Sequence, residues 1–285
     1  MVGLVIVSHS ATLAAGVREL AAQVSGPDVR LEAAGGIDAP EPALGTDAVR
    51  VAEAIGRADA GDGVLVLMDL GSAVLSAEIA LDLLPADQRE RVLLSEAPLV
   101  EGAVAAAVSA GLGASLHEVA AEALGGLEGK SAQLGSGEPE TSAPPASSPP
   151  ARGASLTLRL RIRNPLGLHA RPAAKFVQTA ADLDAGVEVE NLTTGRGPAS
   201  GRSLNGLATL GIRQGHEILV SAQGPQAAAV LEALEGLAAR DFDEEPTRPM
   251  GPMAPPAPAP AAPGNGLRGR RASPSGRPAI CARST

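Results

Sequence analysis

Four side chains stand out by type and place as able to do chemistry: His9 in VSHS, Asp69 in LMDLGSA, and His169 with Arg171 in NPLGLHARPAAKFVQTA. His9 follows the apolar run VGLVIV (2–7) and precedes a run with helical spacing, so it falls between a strand end and a helix start. Free amides at a helix start favour an anionic phosphoryl group. Asp69 closes a second apolar run, VLVLMDL (64–70). If the two strands are neighbours, this carboxylate accepts a hydrogen bond from one imidazole nitrogen, fixes the tautomer and leaves the other nitrogen as nucleophile. A histidine that caps its helix and an aspartate in an ordinary loop account equally well for both positions. His169 is more specific. It stands just before an apolar helix, with Arg171 two residues on and Pro172 in the first turn, where proline is tolerated. Helix-start amides beside a guanidinium suit a dianionic group. The same positive end disfavours imidazolium and keeps a neutral ring available. The plainer alternative is an N-cap histidine.

Other candidates carry less. His117 lies in a helix among Ala and Leu, and His216 opens a strand; both read as structural or solvent-facing. Gly35–Gly36 reads as a turn, and Gly45 and Thr46 as residues on the rim of a site. Four histidines and the single Cys281 show no zinc-ligand spacing, so neither a metal nor a cofactor is expected. One cysteine also fits a reducing, cytoplasmic setting.

The elements that must position these residues follow from periodicity. In 1–128, apolar strand-like runs (2–7, 29–35, 64–70, 92–97) alternate with helical ones (11–24, 46–57, 73–84, 99–111, 115–124). That alternation implies α/β architecture, a parallel sheet covered on both faces, with chemistry at the carboxyl ends of its strands. In 154–240, SLTLRLRIR alternates apolar and charged residues. The order there is β-α-β-β-α-β-α, an α+β open-faced sandwich with helices on one side of an antiparallel sheet.

The 285 residues are 45% hydrophobic, with two Phe and no Trp or Tyr, so Ala, Leu, Val and Ile must build the cores. No charge-free run of 18 apolar residues is present to span a membrane, and residues 2–7 are too short for a signal peptide. Net charge is −9, concentrated in 1–128, which has 6 basic and 19 acidic side chains. So acidic a domain argues against nucleic acid. Residues 129–153 are rich in Ser, Pro, Gly and Ala and read as a linker. Residues 241–285 read as a disordered Pro/Arg-rich tail with too little apolar surface to offset its ordering entropy.

GLHARPAAKFV, with GRSLNGLATLGIRQGHEILVSAQG (201–224), resembles HPr, the histidine phosphocarrier of the bacterial phosphoenolpyruvate phosphotransferase system, over essentially all of 155–240. The resemblance implies that His169 is phosphorylated and that Arg171 is the guanidinium beside it. Where many members have a polar residue three places before the histidine, Leu166 stands here, so backbone amides must serve. Ser203 falls where some members carry a regulatory phosphoserine, and it also fits a plain N-cap. LVIVSHS, the loop GGI…LGTDA and VLVLMDLGSAVLSAE resemble the mannose-class Enzyme IIA domain. The closer likeness is to the version in the phosphoryl-donor subunit of phosphotransferase-dependent dihydroxyacetone kinase, in which this domain precedes an HPr domain.

This resemblance implies a phosphohistidine relay. Enzyme I donates to His169, His169 to His9 with Asp69 as its partner, and His9 to ADP on the nucleotide-binding kinase subunit, which works with a substrate-binding subunit on dihydroxyacetone. It also implies a homodimer. Two alternatives remain: a mannose-class sugar transport component, and a regulatory binding protein read by its phosphorylation state. Residues 266–280 faintly resemble the opening of Enzyme I, for which chance in biased composition is the better account.

Overall fold

The computed structural model describes residues 1–37, 43–134 and 155–244. Most of the expected linker and all of the tail beyond 244, Cys281 and 266–280 included, lie outside the described residues.

The chain begins with β1 (Gly3–Ser8), α1 (Ala11–Ala22), β2 (Leu31–Gly35), α2 (Ala48–Ala58), β3 (Val64–Met68), α3 (Gly71–Leu83), the single turn α4 (Ala86–Arg89) and β4 (Val92–Ser95). Three helices follow: α5 (Leu99–Gly111), α6 (Leu116–Leu124) and α7 (Gly126–Leu134). The four strands form a parallel sheet in the order β2-β1-β3-β4. Alternation along β1 and β3 feeds two cores. Val5, Val7, Val64 and Val66 meet α2 and α3 on one face, and Leu4, Ile6, Leu65 and Leu67 meet α1, α5 and α6 on the other. Burial on both faces is why these strands read as unbroken apolar runs. Where β1 passes α2 only glycine fits, since a Cβ on Gly3 would lie 2.2 Å from the Ala58 carbonyl oxygen. Asp47 caps α2, its carboxylate accepting from the Val49 amide at 2.8 Å.

The second sheet carries β5 (Leu156–Arg161), α8 (Ala170–Ala181), β6 (Gly186–Asn191), β7 (Arg196–Ser200), α9 (Leu204–Thr209), β8 (Glu217–Gln223) and α10 (Ala227–Ala239). Its strands are antiparallel in the order β5-β8-β6-β7. Ile218, Val220 and Ala222 of β8 alternate into the core with Phe176 and Val177 of α8 and Val230 and Leu234 of α10.

The chain departs from the expected boundaries in three places. The helical part of the first region runs on to Leu134, beyond 128, because α7 packs across α5 and α9. The packed chain also runs past 240, where a 3₁₀ turn at Asp241–Asp243 buries Phe242 to 2% exposure. Finally, one apolar core joins residues of both sheets, and Met1–Glu245 forms a single compact unit. The Ala-rich α5, buried at eight positions, makes that joint possible: its small side chains let it lie against the first sheet while α8 and α9 approach. No helix among the described residues is long and apolar enough to cross a membrane.

Candidate functional site

Two histidine sites stand on this frame. The first lies at the carboxyl edge of the parallel sheet. β1 and β3 are direct neighbours, Val7 opposite Met68, so the residues that follow them meet although 60 positions apart. Asp69 Oδ1 lies 2.9 Å from His9 Nδ1, and Oδ2 accepts from the His9 amide at 2.9 Å and the Ser8 hydroxyl at 2.8 Å. The Leu70 amide also donates to Oδ1, at 2.7 Å. Burial alone would raise this carboxyl; the His9 amide and ring, Ser8 and Leu70 outweigh it and hold Asp69 below its ordinary value. An ionised carboxylate only accepts, so the ring nitrogen facing it carries the proton and Nε2 keeps its lone pair. The Ser72 hydroxyl lies against Nε2. Ser72 is in the first turn of α3, whose leading amides have no acceptor within the helix. Ser10 caps α1 beside the same ring. His9 therefore sits between two helix starts, with Nε2 facing the Ser72 hydroxyl and amides suited to an anionic group.

The second site lies at the start of α8. His169 is the N-cap residue, and its side chain makes no capping bond. Instead its Nε2 lies 2.6 Å from Glu244 Oε1. The other carboxylate oxygen accepts from Asn164 Nδ2 at 2.7 Å, and the same nitrogen donates to the Asp241 carbonyl at 2.8 Å. Burial pushes the Glu244 carboxyl up, but Asn164, His169 and the Arg171 charge together bring it below its ordinary value. The proton therefore sits on Nε2, and Nδ1 is the atom with a free lone pair. The loop before His169 needs glycine at 167, where φ is +73° and a Cβ would fall 2.2 Å from the Ile212 carbonyl oxygen.

Comparison with known proteins gives the same two-part division. Residues 3–120 match the family model described as the PTS system fructose IIA component, and residues 156–240 match that of the PTS HPr component phosphorylation site. The phosphoryl donor subunit DhaM of the PEP-dependent dihydroxyacetone kinase of Pantoea ananatis is 46% identical over 248 residues, 86% of this chain and 51% of that protein. The phosphoryl donor subunit DhaM of PEP-dependent dihydroxyacetone kinase 2 of Listeria innocua is 38% identical over 108 residues, covering 38% of this chain and 85% of that shorter protein. The chain belongs to the family of DhaM phosphoryl donor subunits. It spans about half the length of the first of these relatives. Among solved structures, HPr-C-His from Thermoanaerobacter tengcongensis is 36% identical, with a TM-score of 0.30, and the match covers 32% of this chain and 98% of that one.

Within this DhaM-family chain, the residues expected from sequence divide clearly. His9 and Asp69 come together as one unit, and His169 takes its place at the head of α8. Arg171 instead turns away to the Gln23 side-chain amide at the C-cap of α1. Leu166 is 71% exposed, so it adds no polar contact to the site. Ser203 caps α9, accepting from the Gly206 amide at 2.9 Å, and its hydroxyl donates to Glu122 Oε1 of α6 at 2.9 Å. Glu122 also accepts from the Asn205 amide at 3.0 Å, so α9 is tied to α6. His117 is exposed, and His216 Nδ1 is held by Asn191 and the Arg213 amide. On the rim, the Gly45 amide donates to the His9 carbonyl at 2.9 Å, and Thr46 Oγ1 pairs with Ser76 Oγ at 2.7 Å.

Sequence reading missed Ser72, Asn164 and Glu244. Ser72 had a signal in its position three residues after Asp69 at a helix start. Asn164 had a weaker one, opening the loop that leads to His169. Glu244 had none: it lies 75 residues from His169, in a segment whose composition reads as tail.

Proposed function

We propose that this chain is a two-station phosphoryl relay: Enzyme I phosphorylates His169, His169 passes the group to His9, and His9 passes it to ADP on the nucleotide-binding subunit of a dihydroxyacetone kinase. The observation that carries this reading is shared by both sites. In each, a carboxylate holds one imidazole nitrogen while the other keeps its lone pair beside a helix start. Each transfer is an in-line displacement in which a P–N bond on the donor ring breaks as a new bond to phosphorus forms. Catalysis is then mainly positioning and charge. At the last step the Nε2–P bond of His9 gives way to a P–O bond on the terminal phosphate of ADP. On this reading the chain works as a phosphoenolpyruvate–glycerone phosphotransferase component in the cytoplasm. The exposed apolar side of α3 (Leu75, Ile79, Leu83) supports its acting as a homodimer.

The packed arrangement adds a condition. His9 stands at the start of α1, whereas Arg171 binds Gln23 at its other end. Twelve helical residues put about 18 Å between those ends. Reacting atoms must approach to about 3–3.5 Å. For direct transfer the second region must therefore leave its place, where α8 and α9 lie against α5, α7 and the end of α1. Residues 135–155 join the two regions.

The test is reconstitution with Enzyme I, phosphoenolpyruvate and the candidate kinase subunits, following dihydroxyacetone phosphate. The expected result is product formation that requires both histidines. Full activity of His9→Ala or His169→Ala without added HPr would overturn the relay.

A further inference from the structure

We propose that a cleft between α7 and the second sheet, lined by Arg196, Arg213 and His216, binds a small ligand through a dianionic phosphate group. None of these residues belongs to either histidine site above, and the proposal does not depend on the relay.

The cleft has a volume of about 230 Å³ and is lined by Thr194, Arg196, Gly211, Arg213 and His216, with Ala132 of α7 closing one side. Sites for drug-sized molecules measure roughly 300–1,000 Å³, so this one suits a phosphate group with a short substituent. Every polar side chain in its wall can donate a hydrogen bond and none is acidic, in a chain whose net charge is −9. The acid next in sequence, Glu217, stands opposite Arg161 on the β5–β8 ladder. Among the described residues no carboxylate pairs with Arg196 or Arg213. Arg196 Nη1 reaches only the Thr209 carbonyl, at 3.5 Å. Gly211, at φ +56°, leaves room for that guanidinium, since a Cβ there would lie 2.9 Å from Nη1.

His216 is what makes this more than two solvated arginines. Asn191 is fully buried, and its side-chain nitrogen donates to the Leu210 carbonyl at 2.9 Å. Its oxygen accepts from the amides of Thr193 at 3.1 Å and Thr194 at 3.3 Å. Those contacts fix which end of Asn191 is the nitrogen, so it donates to His216 Nδ1, at 3.1 Å. The Arg213 amide donates to the same atom at 3.3 Å. A ring nitrogen that accepts in this way carries no proton, so the proton is on Nε2. No group among the described residues accepts from Nε2. A buried amide therefore presets the imidazole as a donor in a cleft that already holds two guanidinium groups. Guanidinium forks bind phosphate oxygens in pairs. Two forks, an imidazole N–H and the Thr194 hydroxyl exceed what the two oxygens of a carboxylate can use, whereas a phosphate monoester has three charged oxygens to share among them.

The test titrates the full chain with glycerol 3-phosphate, inorganic phosphate and propionate at constant ionic strength. Ring ¹⁵N shifts of the four histidines report where each probe binds, and calorimetry reports its affinity. Thermal unfolding checks that the variants fold. The expected result is a saturable shift of His216 with both phosphates and none with propionate. Arg196→Ala and Arg213→Ala should each weaken binding roughly tenfold or more, the scale of one hydrogen bond to a charged group. Arg213→Lys, which keeps the charge but not the fork, should fall between wild type and Arg213→Ala. Tighter binding of the ester would support a phosphorylated metabolite as the ligand, and tighter binding of phosphate the free ion. Shifts confined to His9 and His169, or a His216 shift that survives in the folded Arg196→Ala/Arg213→Ala double variant, would overturn the proposal.

Discussion

The two histidines meet their carboxylates through opposite ring nitrogens. At His9 the carboxylate comes from the neighbouring parallel strand and meets Nδ1, leaving Nε2 outward against Ser72. At His169, the N-cap residue of α8, it comes from a strap after the last helix and meets Nε2. The side from which a carboxylate approaches, set by the backbone, decides which ring nitrogen it meets. The supports differ as well. Asp69 is held by four groups within the sheet edge, whereas Glu244 depends on Asn164 and on a strap with one buried aromatic anchor.

The largest effect that could break this comparison is at the histidines. His169→Ala should abolish uptake from Enzyme I, while His9→Ala should still take one phosphoryl group yet fail to pass it on. Mass spectrometry under conditions that preserve phosphohistidine counts the groups. Next comes Asp69→Asn, which should slow transfer through His9 by about 10²–10⁴-fold with His169 phosphorylation intact, since a misplaced tautomer removes the nucleophilic lone pair. Wild-type rates would take Asp69 out of the site.

Gly167→Ala probes the second site's backbone alone. A positive φ costs about 1–3 kcal/mol for a side chain, and the contact with the Ile212 carbonyl adds to it. Thermal unfolding should register the loss, and uptake at His169 should fall while that at His9 from free HPr stays. Glu122→Ala should matter less for stability, by about 1–2 kcal/mol, because its bonds to Ser203 and Asn205 are partly solvated. It should loosen α9 from α6, increase the radius of gyration in small-angle scattering and quicken transfer from His169 to His9. Slower transfer would mean that the packed arrangement assists the relay.

The smallest effect is on pH dependence. Asp69 is held below its ordinary value, so its ionised form stabilises the fold fully above the unfolded value of about 3.9. That contribution is lost as pH falls through the lower folded value. Melting temperature should therefore drop more steeply below about pH 4 in wild type than in Asp69→Asn; equal slopes would mean that Asp69 gains nothing from its partners.

Periodicity in the chain was enough to determine both sheets, the order of their strands and of the helices except α4 and α7, and the places of His9, Asp69 and His169. The reason is local: unbroken apolar runs mark strands buried on two faces, alternating ones mark strands buried on one, and a histidine before a helical run falls at that helix's start. Even Asp69 was within reach, since parallel neighbours bring their carboxyl ends together. Three things were decided only by tertiary structure. Arg171 turns to Gln23 because α8 lies beside the C-terminal end of α1, and no spacing encodes that packing. Ser203 is covered by Glu122 for the same reason. Glu244 becomes part of a site because Phe242 finds Phe176 and pulls a polar, proline-flanked segment back over α8. Burial of one aromatic side chain is a long-range event, and it leaves no periodic trace in the residues that it carries along.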